Sequence, residues 1–169
     1  AQILSGPQGE NLSGEQCREY ARTIYESNND LLLLINDILD LSKIEAGHVD
    51  LLIEPVSLAA VVEPLRQMFE PLAVQRGVSF EINVAPGAPV TLETDRGRLA
   101  QILKNLLSNA FKFTSQGQVC LRIEAAGLQR VAFHVRDSGI GIATEQQAII
   151  FEAFRQADGT TSRKYGGTG

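Results

Sequence analysis

The chain has 169 residues, 44% of them hydrophobic, and a formal net charge of -5, which is enough apolar material for one good core with a smaller helical element beside it. The acidic balance and the lack of a basic cluster argue against a polyphosphate backbone as partner, so nucleic acid is a poor candidate ligand. No apolar run approaches the roughly 20 residues of a membrane span and no secretory signal opens the chain, so this piece is expected to be soluble and to make no membrane contact of its own.

Ala1 to Leu4 read as the last turn of a helix, because Ser5, Gly6, Pro7 and Gly9 follow, residues that a helix interior tolerates poorly. From Ser13 to Ala46 there is no Gly after Gly14 and no Pro, and Ile24, Leu31, Ile35, Ile38 and Leu41 recur at helical spacing. The prediction is one long helix, roughly 50 Å at 1.5 Å per residue. Ser13 with Gln16 fits a capping box and Gly47 fits a C-terminal cap. The apolar stripe must be buried against other helices, which points to a bundle and a dimer. Cys17 and Cys120 have no CxxC spacing and read as reduced, structural thiols.

Beyond Gly47 the pattern changes. Val49, Leu51 and Ile53 alternate as in a short strand, and Ser57 is placed to cap a helix reaching about Gln75, with Pro64 and Pro71 predicting a kink or a later start. Val78–Val84 and Val90–Thr94 read as strands, Asp95–Phe111 as a helix capped by Asp95, and Gly117–Ala125 with Arg130–Asp137 as a hairpin around Gly127. A helix over about Thr144–Phe154 precedes a glycine-rich segment, Gln156–Gly169, read as a mobile lid. Strands and helices mix without regular βαβ alternation, so the fold class is α+β, a two-layer sandwich.

Within Asp95–Phe111, the residues Leu99, Ile102, Leu103, Leu106 and Leu107 form the apolar set, while Asn105, Asn109 and Lys112 recur at i, i+4 and i+7. Amide oxygens are hard ligands suited to Mg²⁺, and a neighbouring ammonium neutralises a phosphate as a point charge. The same stripe also describes a solvated helix face, although two midhelix Asn residues are costly there. In DSGIGI, Gly139 and Gly141 permit positive φ and close approach of a ligand to the backbone, and Asp137 shares the parity of Val131, Phe133 and Val135. Its carboxylate suits an exocyclic amine such as adenine's. An ordinary turn has the same composition. The glycines of GGTG suit phosphate, or an unstructured tail.

Five runs in this order, NDILDLSKIEAG, QILKNLLSNAFKFT, DSGIGI, IFEAFRQAD and KYGGTG, resemble the histidine kinase family, and in wording the hybrid sensor kinases of phosphorelays. The resemblance implies that residues 1–47 close a dimerisation and histidine-phosphotransfer hairpin and that 48–169 form the catalytic ATP-binding domain without its C-terminal part. The other four runs correspond to the N, G1, F and G2 boxes. By position, Asn109 would coordinate Mg²⁺ with Asn105 supporting it, Lys112 would meet the phosphates and Asp137 the adenine amino group. Gly139 and Gly141 would shape the base pocket, Phe151 and Phe154 would anchor the lid, and Gly167, Thr168 and Gly169 would line the phosphate side.

The related gyrase, heat-shock chaperone and mismatch-repair ATPases place a glutamate one turn before the metal-binding asparagine. Asn105 stands there in this chain and is no general base, which favours phosphoryl transfer over hydrolysis. The resemblance thus implies a cytoplasmic kinase, membrane-anchored or not as a whole, that binds ATP and Mg²⁺. It would act as a homodimer through its hairpin helices and pass phosphate from a histidine to a response-regulator receiver domain. Neither His48 nor His134 matches the family's acceptor box, so the acceptor is expected to lie outside this piece, cut short at both ends and inactive alone. The alternatives are a hydrolytic ATPase of the same superfamily and a dimerisation scaffold without catalysis.

Overall fold

The computed structural model describes residues 13–45, 50–127, 129–148 and 150. The chain divides into two compact units, Ala1–Asp50 and Leu51–Gly169.

In the first unit Ser13 and Gln16 cap reciprocally: the Ser13 amide donates to Gln16 Oε1 at 3.0 Å and the Gln16 amide to Ser13 Oγ at 3.2 Å. Two orphan amides are satisfied and helix α1, Gly14–Glu45, starts as the capping box predicts. Leu31, Ile35 and Ile38 are exposed and follow one another at i, i+4 and i+7 along α1, an apolar stripe left uncovered among the described residues. The expected cap Gly47 lies outside the described residues, as do the expected helix at Ala1–Leu4 and His48.

Of the strand expected at Val49–Ile53, the described residues show none. Residues 50–53 have no regular structure, and Leu51, Leu52 and Ile53 are all more than half exposed. The first strand is instead β1, Glu54–Ser57, paired antiparallel with β3, Thr91–Thr94, so that Val56 lies opposite Leu92. Burial of Val56 fixes the register, which local alternation alone cannot do. Ser57 Oγ then accepts from the Ala60 amide at 3.2 Å and starts helix α2, Leu58–Arg76. The later start does not occur, since Pro64 and Pro71 both lie inside the assigned helix. Gly77, at φ 65°, ends it in the left-handed region, and the Val78 amide returns to the Ala73 carbonyl at 3.1 Å.

The second sheet has the order β2-β4-β5, with β2 at Ser79–Val84, β4 at Gln118–Ala125 and β5 at Val131–Asp137. β4 and β5 form the expected antiparallel hairpin, while β2 pairs with β4 in parallel, so the sheet is mixed. Val119, Leu121 and Ile123 alternate onto one face of β4 and are wholly buried. α2 covers that face with Val61, Leu65 and Phe69, and helix α3, Arg96–Phe113, with Leu103, Leu107 and Phe111. Phe111 stacks on Phe69 at 5.4 Å between ring centroids and meets Phe80 edge-on at 5.4 Å. This is the expected two-layer α+β arrangement. α3 runs to Phe113, two residues further than predicted, and its buried face is narrower than the apolar set suggested: Ile102 and Leu106 are exposed. Helix α4, Thr144–Gln147, starts where predicted, and the predicted continuation to Phe154 falls outside the described residues. Among the described residues no helix is long and apolar enough to cross a membrane.

Candidate functional site

The C-terminal end of α3 is the point on which the candidate residues converge. A helix leaves its last carbonyls without intrahelical partners, and here other elements supply them. Arg76 Nη1, from the last turn of α2, donates to the Phe111 carbonyl at 2.6 Å, and the Ile140 amide donates to the Phe113 carbonyl at 3.3 Å. The second bond docks the DSGIGI turn, at the end of β5, directly onto the end of α3. Lys112 lies in this last turn, partly buried, with Nζ 5.2 Å from the Phe113 ring centroid, a cation–π contact that keeps the ammonium near the helix terminus.

Asp137 ends β5 as an exposed residue, and its Oδ1 accepts from the Gly139 amide at 2.9 Å, which fixes the carboxylate at the turn. Val131, Phe133 and Val135 share its parity and pack against the core, as alternation predicts. The two glycines serve different ends. Gly141 has φ 69° and open space around it. Gly139 is not in the positive-φ region; it is needed because a β-carbon there would run into the Phe113 carbonyl and come within 2.9 Å of Asp137 Oδ1. Positive φ is expected at both glycines and occurs only at Gly141; what Gly139 makes room for is the chain's own Phe113 carbonyl.

That difference is measurable. Gly139→Ala is expected to lower the free energy of unfolding by about 2 kcal/mol, because the neighbour it strikes is backbone held by its own hydrogen bond. Gly141→Ala, which meets no neighbour, is expected to cost only the left-handed strain, about 1 kcal/mol. Urea denaturation of both variants decides it, and equal midpoints would remove the steric argument.

Asn105 and Asn109 sit on the exposed face of α3, one turn apart, with Lys112 following in the last turn. Their amide oxygens are accessible hard donors, a set that fits a Mg²⁺ ion which keeps several of its waters. The structure therefore brings Lys112, Asp137 and Gly139 to one end of α3 and sets Asn105 and Asn109 along the same helix. Phe151, Phe154, Gly167, Thr168 and Gly169 lie outside the described residues.

Several supporting residues escaped the sequence reading. Ser138 Oγ accepts from the Gln118 amide at 2.9 Å and the Ser138 amide donates to the Gln118 carbonyl at 3.1 Å, which braces the turn against the start of β4. Gly117, at φ 105°, leaves the space that Ser138 Oγ fills. The glycine in SQGQ was the available signal, but only the pairing of β4 with β5 shows what it faces. His134, on the outer face of β5, places Nε2 3.1 Å from Glu124 Oε1. Arg122 first, then His134, holds the Glu124 carboxyl below its ordinary value. This cluster belongs to the exposed side of the sheet, away from the core-facing residues.

Residues 94–169 match the family model described as histidine kinase-, DNA gyrase B-, and HSP90-like ATPase. Residues 1–47 match the His Kinase A (phospho-acceptor) domain. The signal transduction histidine-protein kinase BarA of Escherichia coli (strain K12) is 37% identical over 156 residues, covering 90% of this chain and 17% of BarA. The circadian input-output histidine kinase CikA of Synechococcus elongatus is 43% identical over 157 residues, covering 92% of this chain and 21% of CikA. The chain thus spans about a fifth of the length of these curated relatives. Among solved structures, full-length ShkA in complex with AMPPNP is similar, with a TM-score of 0.74 and 37% identity over 90% of this chain and 32% of that one.

Proposed function

The chain belongs to the sensor histidine kinase family, and from that premise we propose that its protein is an ATP- and Mg²⁺-dependent histidine kinase of a two-component phosphorelay. It transfers the γ-phosphoryl group of ATP to a histidine of its dimerisation hairpin and passes it on to a response-regulator aspartate. The observation that carries the reading is the docking of the Asp137–Ile140 turn onto the Phe113 carbonyl through the Ile140 amide, beside Lys112 and on the helix that bears both asparagines. The ShkA complex with AMPPNP, a protein similar over most of this chain, supports a nucleotide as the ligand.

In this reading Asp137 accepts a hydrogen bond from the adenine amino group, and Gly139 and Gly141 keep the floor of the base pocket free of side chains. Asn109 offers its amide oxygen to Mg²⁺, Asn105 supports it from one turn earlier, and Lys112 faces the phosphates. Phe154 anchors a lid, and Gly167, Thr168 and Gly169 line the phosphate side. Mg²⁺, when bound, neutralises phosphate charge and orients the γ-phosphoryl group. The protein's contribution is position and electrostatics. Asn105 holds no proton-accepting group at neutral pH, so the site lacks a side chain there to activate water, which favours transfer to a second residue over hydrolysis.

Residues 1–47 are the hairpin portion and 48–169 the ATP-binding portion. The uncovered stripe Leu31, Ile35 and Ile38 of α1 is assigned to the homodimer, and the receiver domain of a response regulator to the onward transfer. The protein works on the cytoplasmic side. Calorimetric titration of the full-length protein with a non-hydrolysable ATP analogue tests the site. Binding is expected to require Mg²⁺ and to weaken about tenfold in Asp137→Asn, the loss of one charge-assisted hydrogen bond. Affinity indifferent to both would refute the reading.

A further inference from the structure

Asp95 takes no part in the nucleotide roles assigned above, yet its carboxylate accepts two backbone hydrogen bonds, one from the helix it caps and one from a distant part of the chain. Oδ1 accepts from the Arg98 amide at 2.9 Å and caps α3, while Oδ2 accepts from the Leu52 amide at 3.1 Å, 43 positions away in sequence. Capping needs one oxygen, and Asn or Ser supplies it as well as Asp. The second bond reaches residues 50–53, which have no regular structure and whose leucines and isoleucine are exposed, so this stretch has little packing of its own to hold it. The Arg98 amide, then the Leu52 amide, holds the Asp95 carboxyl below its ordinary value, so that both bonds are charge-assisted.

Leu51 is the first residue of the second compact unit. The bond therefore ties the chain, where it enters that unit, to the N-terminus of the helix that carries Asn105, Asn109 and Lys112. At 18 residues, α3 is a rod of about 27 Å, fixed at its far end by Arg76 and Ile140. A displacement at residues 50–53 has a direct route into it. We propose that Asp95 is a positioning residue, a tether through which movement of the entering chain segment sets the position of the helix that bears the proposed nucleotide ligands. The inference rests on the kinase reading above.

Three variants of the full-length protein separate the tether from the cap. Leu52→Pro removes the amide donor and leaves Asp95 free to cap α3. Asp95→Asn keeps one capping oxygen and loses the second acceptor. Leu52→Ala keeps the donor and removes only an exposed side chain. Autophosphorylation is followed with labelled ATP, analogue affinity by calorimetry and Tm by scanning. Leu52→Pro and Asp95→Asn are expected to autophosphorylate about tenfold more slowly and to bind the analogue about threefold more weakly, with Tm lowered by no more than about 4 °C, and Leu52→Ala to match wild type. Wild-type rates in Leu52→Pro would overturn the tether, as would equal slowing in Leu52→Ala. A Tm lowered by more than about 4 °C would also overturn it, by showing a loosened fold rather than a lost tether. If wild type itself incorporates no label, the kinase reading fails and the tether fails with it.

Discussion

Asn109→Ala is expected to weaken binding of the Mg²⁺–nucleotide complex about 100-fold, about 2.7 kcal/mol, and to bring binding with metal down to the level seen without it. The stability of the protein should move the other way. Asn109 is exposed on α3, between the buried Leu107 and Ala110, and alanine at an exposed midhelix position is a better helix former by about 0.6 kcal/mol. A variant that is slightly more stable and cannot hold the metal would show that the asparagine is kept for its ligand and not for the helix. Calorimetric titration with and without Mg²⁺, alongside urea denaturation, reads both quantities. Unchanged affinity would return the stripe to a solvated helix face.

The sequence disclosed most clearly those features whose causes are local. Ser13 with Gln16, Ser57 and Asp95 mark helix starts because a capping oxygen acts within three residues of itself. The β4–β5 hairpin was legible for a similar reason, since two alternating runs flank a short glycine turn. Features that depend on distant partners were less accessible. The stretch Val49–Ile53 alternates well enough for a strand, but β3 pairs with Glu54–Ser57 instead, and nothing within residues 49–57 says which register Val56 will bury. The parallel pairing of β2 with β4 likewise joins segments separated by β3 and α3.

The site shows the same division. Asn105, Asn109, Lys112 and Asp137 stood out by residue type and spacing. Their setting did not. That Gly139 yields to the Phe113 carbonyl, that Ser138 locks onto Gln118 and that Arg76 holds the Phe111 carbonyl all depend on three elements meeting at one helix end. Ile102 and Leu106 illustrate the opposite error. They fit an apolar helical set but are exposed, because an apolar residue type does not determine which face a helix turns to the sheet.

Because these contacts meet at that helix end, Phe111 is expected to couple stability to the proposed function. Phe111→Ala is expected to cost about 4 kcal/mol, since it removes a ring that is 1% exposed and packed between Phe69 and Phe80. That is a large part of the stability of an ordinary domain. The cavity would open beneath the last turn of α3, next to Lys112 and behind the carbonyl that Arg76 holds, so the proposed phosphate contact should loosen in molecules that remain folded. Phe80→Ala supplies the comparison. It removes a partly buried ring of the same cluster, on β2 and edge-on to Phe111, and is expected to cost about 2 kcal/mol while leaving analogue affinity per folded molecule within about twofold of wild type. For Phe111→Ala that affinity is expected to fall about tenfold. Both are read by titration at low temperature, with the folded fraction fixed by circular dichroism. Equal affinities in the two variants would mean that the aromatic cluster supports the fold alone and that the end of α3 keeps its place without the ring beneath it.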